Sequence, residues 1–136
     1  AVILLDTHVL IWWVNGDLSR LSKAALAAIE SNRKSNQKQQ LLVSAISCWE
    51  VAMLLERGRL SLSMDSEKWF NLISAIPAIK FLPLQPRVAI NATQLPEPFH
   101  ADPADRFLVA QARQLNLPLV SADARIRQYA HVQSIW

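Results

Sequence analysis

The sequence predicts an α/β fold: a sandwich with a short, mostly parallel central sheet flanked by helices. Three observations carry that expectation. Short apolar runs such as AVILL (1–5) and LPLV (117–120) read as strands buried on both faces. Helical stretches alternate with these runs, which is the pattern of strands joined by crossovers. The chain has 136 residues, 51% hydrophobic and 18% charged, enough to bury a core, so a single domain over residues 1–136 is expected.

Taken in order, AVILL stops at Asp6, and THVLIWWV (7–14) follows as a short helix closed by the turn Asn15-Gly16-Asp17. Ser19 or Ser22 can cap a second helix through Ile29. The polar stretch ESNRKSNQKQQ (30–40) reads as a solvated loop or frayed helix end, and Leu41 to Val43 as a strand. Ser44 can cap the helix AISCWEVAMLLERG, with Gly58 at its stop. DSEKWFNLISAI (65–76) is a helix ended by Pro77, and IKFLPL (79–84) a strand that cannot run far past Pro83. RVAINATQL is a helix, PEPFHAD a rigid loop, and PADRFLVAQARQLN an amphipathic helix. LPLVSAD is a strand and acidic turn, ARIRQYA a short helix, and HVQSIW a last strand.

Composition narrows the function classes. The opening apolar segment is too short to span a bilayer and contains Asp6 and His8. It also lacks the basic start of a signal peptide, so neither export nor membrane insertion is expected. The chain opens at Ala1 rather than Met, which leaves room for upstream residues. Cys48 is the single cysteine, so no intrachain disulfide forms, and a reducing cytoplasmic setting is the simplest expectation. With two glycines in all, a glycine-rich phosphate loop is excluded, and with it a P-loop or dinucleotide fold. A net charge of +3 permits nucleic-acid binding without requiring it. The high apolar content suggests that a partner covers part of the surface.

Four acids stand out by position. Asp6 and Asp123 each follow a predicted strand, where α/β sheets bind their ligands. Asp105 lies in the first turn of its helix, expected at the same crevice. Glu50 lies inside a helix, with Ile46, Ser47, Met53 and Leu54 one turn away, and an acid there is costly unless paired or bound to metal. Each acid also has a plainer explanation. Asp6 can cap a helix, Asp123 can be a turn residue, Glu50 can pair with Arg57, and the helix dipole favours Asp105 where it is. Asp102 before Pro103 is what a helix start looks like, and capping accounts for it. Brought together, however, four carboxylates repel one another, and their charged forms coexist only beside a cation. An oxygen-rich site of this kind suits Mg²⁺ or Mn²⁺.

These residues resemble those of the PIN-domain ribonucleases, above all the VapC-like toxins of type II toxin–antitoxin pairs. LLDTHVLIWW resembles the family's opening strand and acid, SAISCWEVAML its helix with a central glutamate, and LVSADARIRQY its closing acidic turn. HADPADRFLVAQA is the most specific match, and the four motifs occur in the family's order over nearly the whole chain. The stretch from Glu30 to Gln40 is longer than usual for the family. The resemblance implies a PIN-like fold and a Mg²⁺- or Mn²⁺-dependent endoribonuclease held inactive by a cognate antitoxin, often as a homodimer. It assigns metal binding and catalysis to Asp6, Glu50, Asp105 and Asp123, with Asp102 as a supporting acid.

Around the acids, Thr7 and Ser121 are expected to orient a carboxylate or water, or simply to cap helices. Arg106 and Arg125 are candidates to neutralise RNA phosphates, with Arg113, Arg127, Lys34 and Lys38 adding to the basic field. His8 and His100 read as structural and loop residues. One of Trp12 and Trp13 is expected to stay partly exposed for an interface with a partner. Two other functions compete: a Mg²⁺-dependent phosphatase or phospho-acceptor, and a non-catalytic interaction protein of the same fold. The first wants an acid two residues after Asp6, where His8 stands. It also wants a lysine at a late strand end, where Ser121 stands. The intact acidic set argues against the second.

Overall fold

The computed structural model describes residues 2–34, 40–62 and 64–136. The strands are β1 (Ile3–Leu5), β2 (Leu41–Ser44), β3 (Ile79–Leu82), β4 (Leu119–Val120) and β5 (Ser134–Ile135). They form one sheet in the order β3-β2-β1-β4-β5, and every pairing is parallel. The helices are α1 (Thr7–Val14), α2 (Lys23–Arg33), α3 (Ala45–Glu56), α4 (Ser66–Ser74), α5 (Pro86–Thr93), α6 (Pro103–Leu115) and α7 (Ala124–Arg127).

Alternation along the central strands divides the core into two layers. Ile3, Leu5, Leu41 and Val43 point to one face, where they meet Val9 and Leu10 of α1, Ile29 of α2 and Trp69 and Ile73 of α4. Leu4, Leu42 and Leu119 point to the other, where they meet Val88 of α5, Leu108 and Val109 of α6 and Ile126 of α7. Burial on both sides is why these strands are continuous apolar runs rather than alternating ones. Helix α3 serves both layers, with Val51 in the first and Ile46 in the second.

The sheet grows from β1 outward through β2 and β3, then crosses back to place β4 on the other side of β1. The order in which strands are added therefore reverses between β1 and β4, which opens a crevice at the carboxyl ends of these parallel strands. Residue 4 pairs with Leu42 on one side and Leu119 on the other, so β1 is the centre of the molecule.

Several ends differ from the sequence reading. Glu30 to Arg33 continue α2, with Arg33 paired to Glu30 at 2.8 Å, so of the two readings of this stretch the helix end holds here and not the loop; residues 35–39, Lys38 among them, lie outside the described residues. Ser22, not Ser19, caps α2 by accepting from Ala25 N at 3.1 Å, while Ser19 sits in a 3₁₀ turn, Leu18–Arg20. β4 and β5 are two residues each, because Pro118 precedes the one and each pairs over only that length. Among the described residues no helix is long and apolar enough to cross a membrane.

Candidate functional site

A pocket of about 350 Å³ opens at the carboxyl ends of β1 and β4, and Asp6, Glu50, Asp102, Asp105 and Asp123 all line it, with His8, Trp12, Ala122 and Arg125. Each acid arrives by a local rule. Asp6 is the first residue after β1 and the cap of α1. Asp123 caps α7 two residues beyond Ser121, accepting from Arg125 N at 2.8 Å. Asp102 caps α6 by accepting from Asp105 N at 3.1 Å, with Pro103 at the first helical position. That cap sets the first turn of α6, and Asp105 falls on its buried face, one turn ahead of Val109.

Hydroxyls fix the inner carboxylates. Asp6 is buried, and its two oxygens accept from Thr7 N at 2.8 Å and from the Ser121 hydroxyl at 2.6 Å. Ser121 Oγ in turn accepts from Asp123 N at 3.1 Å, so one buried serine ties the ends of β1 and β4 together. The fully buried Thr7 hydroxyl donates to Glu50 Oε1 at 2.6 Å and lies 2.8 Å from Ser47 Oγ. A hydroxyl has one proton, so with Thr7 serving the carboxylate, Ser47 is the donor to Thr7. Glu50 thus meets Thr7, 43 residues away, and not the Arg57 of its own helix.

The electrostatics follow from burial and crowding. Burial pushes the Asp6 carboxyl up, against the hydrogen bonds from Ser121 and Thr7 that favour its charge. Burial also raises Glu50, with the charge of Asp6 adding to it. Asp105 is pushed up to about 8, first by burial and then by Asp6, Asp102, Asp123 and Glu50. Asp123 goes the other way, held low chiefly by its side-chain bonds to Arg125 at 2.9 and 3.2 Å. A carboxyl group that retains its proton among four others marks a site short of positive charge. The donor set is all hard oxygen, which fits Mg²⁺ or Mn²⁺. Among the described residues no three acidic, histidine or cysteine groups already stand close enough to hold one ion. Glu50 and Asp123 are only half-buried, which leaves their side chains room to turn.

The structure separates the two arginines named from sequence. Arg125 lines the pocket, with Nη2 3.7 Å from Asp105 Oδ2. Arg106 is turned away: its Nε donates to Ala92 O at 2.7 Å and its Nη1 to the carbonyls of Phe99 and His100 at 3.1 Å. The next residue along a helix points about 100° away, so adjacency to Asp105 put Arg106 against a different surface.

Sequence reasoning passed over His100. Its Nε2 lies 3.0 Å from Asp105 Oδ2, too poorly aligned for a good hydrogen bond, while its Nδ1 accepts from Asp102 N at 3.3 Å. Burial lowers its basicity, so the neutral ring is favoured, and the Asp102 N–H places its proton on the nitrogen facing Asp105. The signal was its place in HADPAD, two residues before a helix cap whose helix carries a buried acid. His8 and Trp12 also line the pocket, on one face of α1, with ring centroids 6.0 Å apart. Trp12 and Trp13 are both half-buried.

Comparison with known proteins agrees with this architecture. Ribonuclease VapC22 of Mycobacterium tuberculosis is 35% identical over 135 residues, covering 99% of this chain and 97% of that one. In fold, the chain is similar to the structure of VapBC2 from Rickettsia felis bound to a DNA fragment from their promoter (TM-score 0.69, 12% identity, 98% and 97% of the two chains). It is likewise similar to FitAcB from Neisseria gonorrhoeae (TM-score 0.66, 20% identity, 97% and 95%). The PIN domain family model matches residues 3–132, and with a five-stranded parallel sheet that gathers its acids at the β1–β4 crevice, this chain belongs to the PIN domain family.

Proposed function

We propose that this chain is a Mg²⁺- or Mn²⁺-dependent endoribonuclease and the toxin of a toxin–antitoxin pair, acting in the cytoplasm. The observation that carries the reading is the meeting of Asp6, Glu50, Asp105 and Asp123, from four separate elements, in one pocket. The identity to a ribonuclease over nearly the whole chain supports RNA as substrate.

The four carboxylates would hold the divalent ion. Bound there, it supplies Lewis acidity, which makes water a nucleophile near neutral pH and neutralises charge at the phosphate. The remaining work belongs to side chains. Thr7 and Ser121 hold Glu50 and Asp6 in place. Asp102 fixes the first turn of α6 and so the position of Asp105. Glu50, turned into the pocket and held there by Thr7, would take the proton of the attacking water as the P–O ester bond breaks. Arg125, with its guanidinium largely exposed, both braces Asp123 and offers charge to a phosphate of the incoming strand.

Partner binding has its own surface. Trp49 of α3 is 55% exposed, and Phe70 and Leu72 of the adjoining α4 are 42% and 44% exposed. Exposed apolar side chains on two neighbouring helices fit an interface with the antitoxin or with a second copy in a homodimer.

The test is cleavage of a panel of structured RNAs by the purified protein. Cleavage is expected with Mg²⁺ or Mn²⁺, is stopped by EDTA and is restored by excess metal. No cleavage of any RNA with either metal, or undiminished cleavage in EDTA, overturns the proposal. Ser121→Ala is expected to lower metal affinity or kcat by about 10- to 100-fold, as loss of a group that orients a ligand does, with the circular dichroism spectrum unchanged. Wild-type metal affinity together with wild-type kcat in that variant would make Ser121 a purely structural tie.

A further inference from the structure

Arg125 lines the acidic pocket and also a second, larger cavity of about 590 Å³, in whose wall stands His100, 3.0 Å from Asp105. Its wall is aromatic. The Phe99 ring lies 4.5 Å from His100 and 4.6 Å from Tyr129, and Tyr129 lies 5.3 Å from His131, with planes inclined by 44° to 63°. These rings come from the loop before α6 and the segment after α7, and they form a continuous curved surface beside the site. Packing accounts for part of it: Tyr129 is buried in the core under α6, its hydroxyl donating to Pro96 O, and the half-buried Phe99 packs against that core with one side left to the cavity. Packing does not account for His131, which is exposed, or for the open space the rings enclose.

We propose that this cavity receives an unpaired nucleobase of the substrate, that of the nucleotide next to the phosphate held at the carboxylates. The inference rests on the ribonuclease reading and adds a subsite to it. The volume is that of a small-ligand pocket. Every base has a π-face that stacks on aromatic rings, and single-stranded RNA is commonly held that way. Arg125 is shared by both cavities, so one guanidinium can contact the phosphate that links the two nucleotides. Glu97 and Gln128 stand at the exposed rim, one an acceptor and the other both donor and acceptor, and can meet the polar edge of a base.

The experiment has two arms. In the first, the intact protein is titrated with the four nucleoside 5′-monophosphates, with ribose 5-phosphate as control, and the ring resonances of Phe99, Tyr129 and His131 are followed by NMR. The nucleotides are expected to shift these rings and the sugar phosphate to leave them in place. His131→Ala and Phe99→Leu are expected to weaken nucleotide binding about tenfold, the usual order for losing a stacking ring. If Phe99→Leu fails to fold, the exposed His131 decides. In the second arm, His131→Ala is assayed on the cleaved RNAs, and a roughly tenfold fall in kcat/KM with an altered pattern of cut sites is expected. Equal shifts from ribose 5-phosphate, shifts confined to other residues, or unchanged cleavage by His131→Ala overturn the subsite while the ribonuclease stands. Nucleotide binding at these rings in a protein that cuts no RNA overturns the ribonuclease and keeps the base pocket.

Discussion

Asp6→Asn and Asp105→Asn are each expected to abolish RNA cleavage, by about a thousandfold or more, while leaving the chain folded. The size follows from the chemistry. An ion at a phosphoryl centre is worth several kcal/mol of transition-state stabilisation, and each 1.4 kcal/mol is about tenfold in rate. The fold survives for reasons specific to each position. Asparagine is as good a helix cap as aspartate, so residue 6 can still accept from Thr7 N, and its amide can donate to Ser121 Oγ where the carboxylate accepted. At residue 105 the carboxylate is buried, and the neutral amide removes a charge that burial and four neighbouring acids disfavour. Single-turnover cleavage, with circular dichroism and thermal unfolding beside it, checks the prediction. Activity within tenfold of wild type in both folded variants would remove the proposed roles of these acids.

The positions of the acids were legible in sequence because local rules put them there. A strand that stops at an acid, as Ile3–Leu5 does at Asp6, has few places to send that acid except the carboxyl edge of the sheet. Asp102-Pro103 announces a helix start, and counting from it puts Asp105 on the first turn. From the residues themselves Glu50 was visible as an acid in apolar company, and the resemblance of SAISCWEVAML to the family's glutamate-bearing helix added its role. Its partner, Thr7, belongs to another helix, and no periodicity links residues 43 apart. The same limit hid His100, whose ring reaches Asp105 through the path of a loop rather than through any repeat. Arg106 failed for the opposite reason. Neighbours in sequence on a helix face different surroundings, and the carbonyls of Ala92 in α5 and of Phe99 and His100 in the loop before α6 hold its guanidinium away from the pocket. The ends of β4 and β5 were overdrawn because strand length is set by pairing, which the sequence of one strand does not contain.

The metal-free protein is expected to lose stability as pH rises from about 4 to about 8, and a divalent ion is expected to reverse that loss. Asp105 carries the argument. Its carboxyl is pushed from an ordinary value near 3.8 up to about 8 in the fold, so between those limits the folded chain holds a proton that the unfolded chain has released. Stability falls with pH wherever the native state binds more protons. Below the lower limit the group contributes nothing, and above the upper one its full penalty is present. Asp6 and Glu50, also raised, act in the same direction. Asp123 is lowered, so its contribution is present above the ordinary aspartate range and is lost only as pH falls through its lowered value, outside this window. Metal binding must displace the Asp105 proton, so apparent affinity should climb by up to about tenfold per pH unit toward pH 8 and level off above it. Thermal unfolding at pH 5, 7 and 8.5, with and without Mg²⁺, reads the first effect. Calorimetry in buffers of different ionisation enthalpy reads the second as about one proton released at pH 7. Asp105→Asn is the internal control: its metal-free unfolding temperature should exceed that of wild type at pH 8.5 and respond less to Mg²⁺. A variant with the same pH slope as wild type would mean that Asp105 ionises freely, and the crowding proposed to draw a cation to this pocket would not exist.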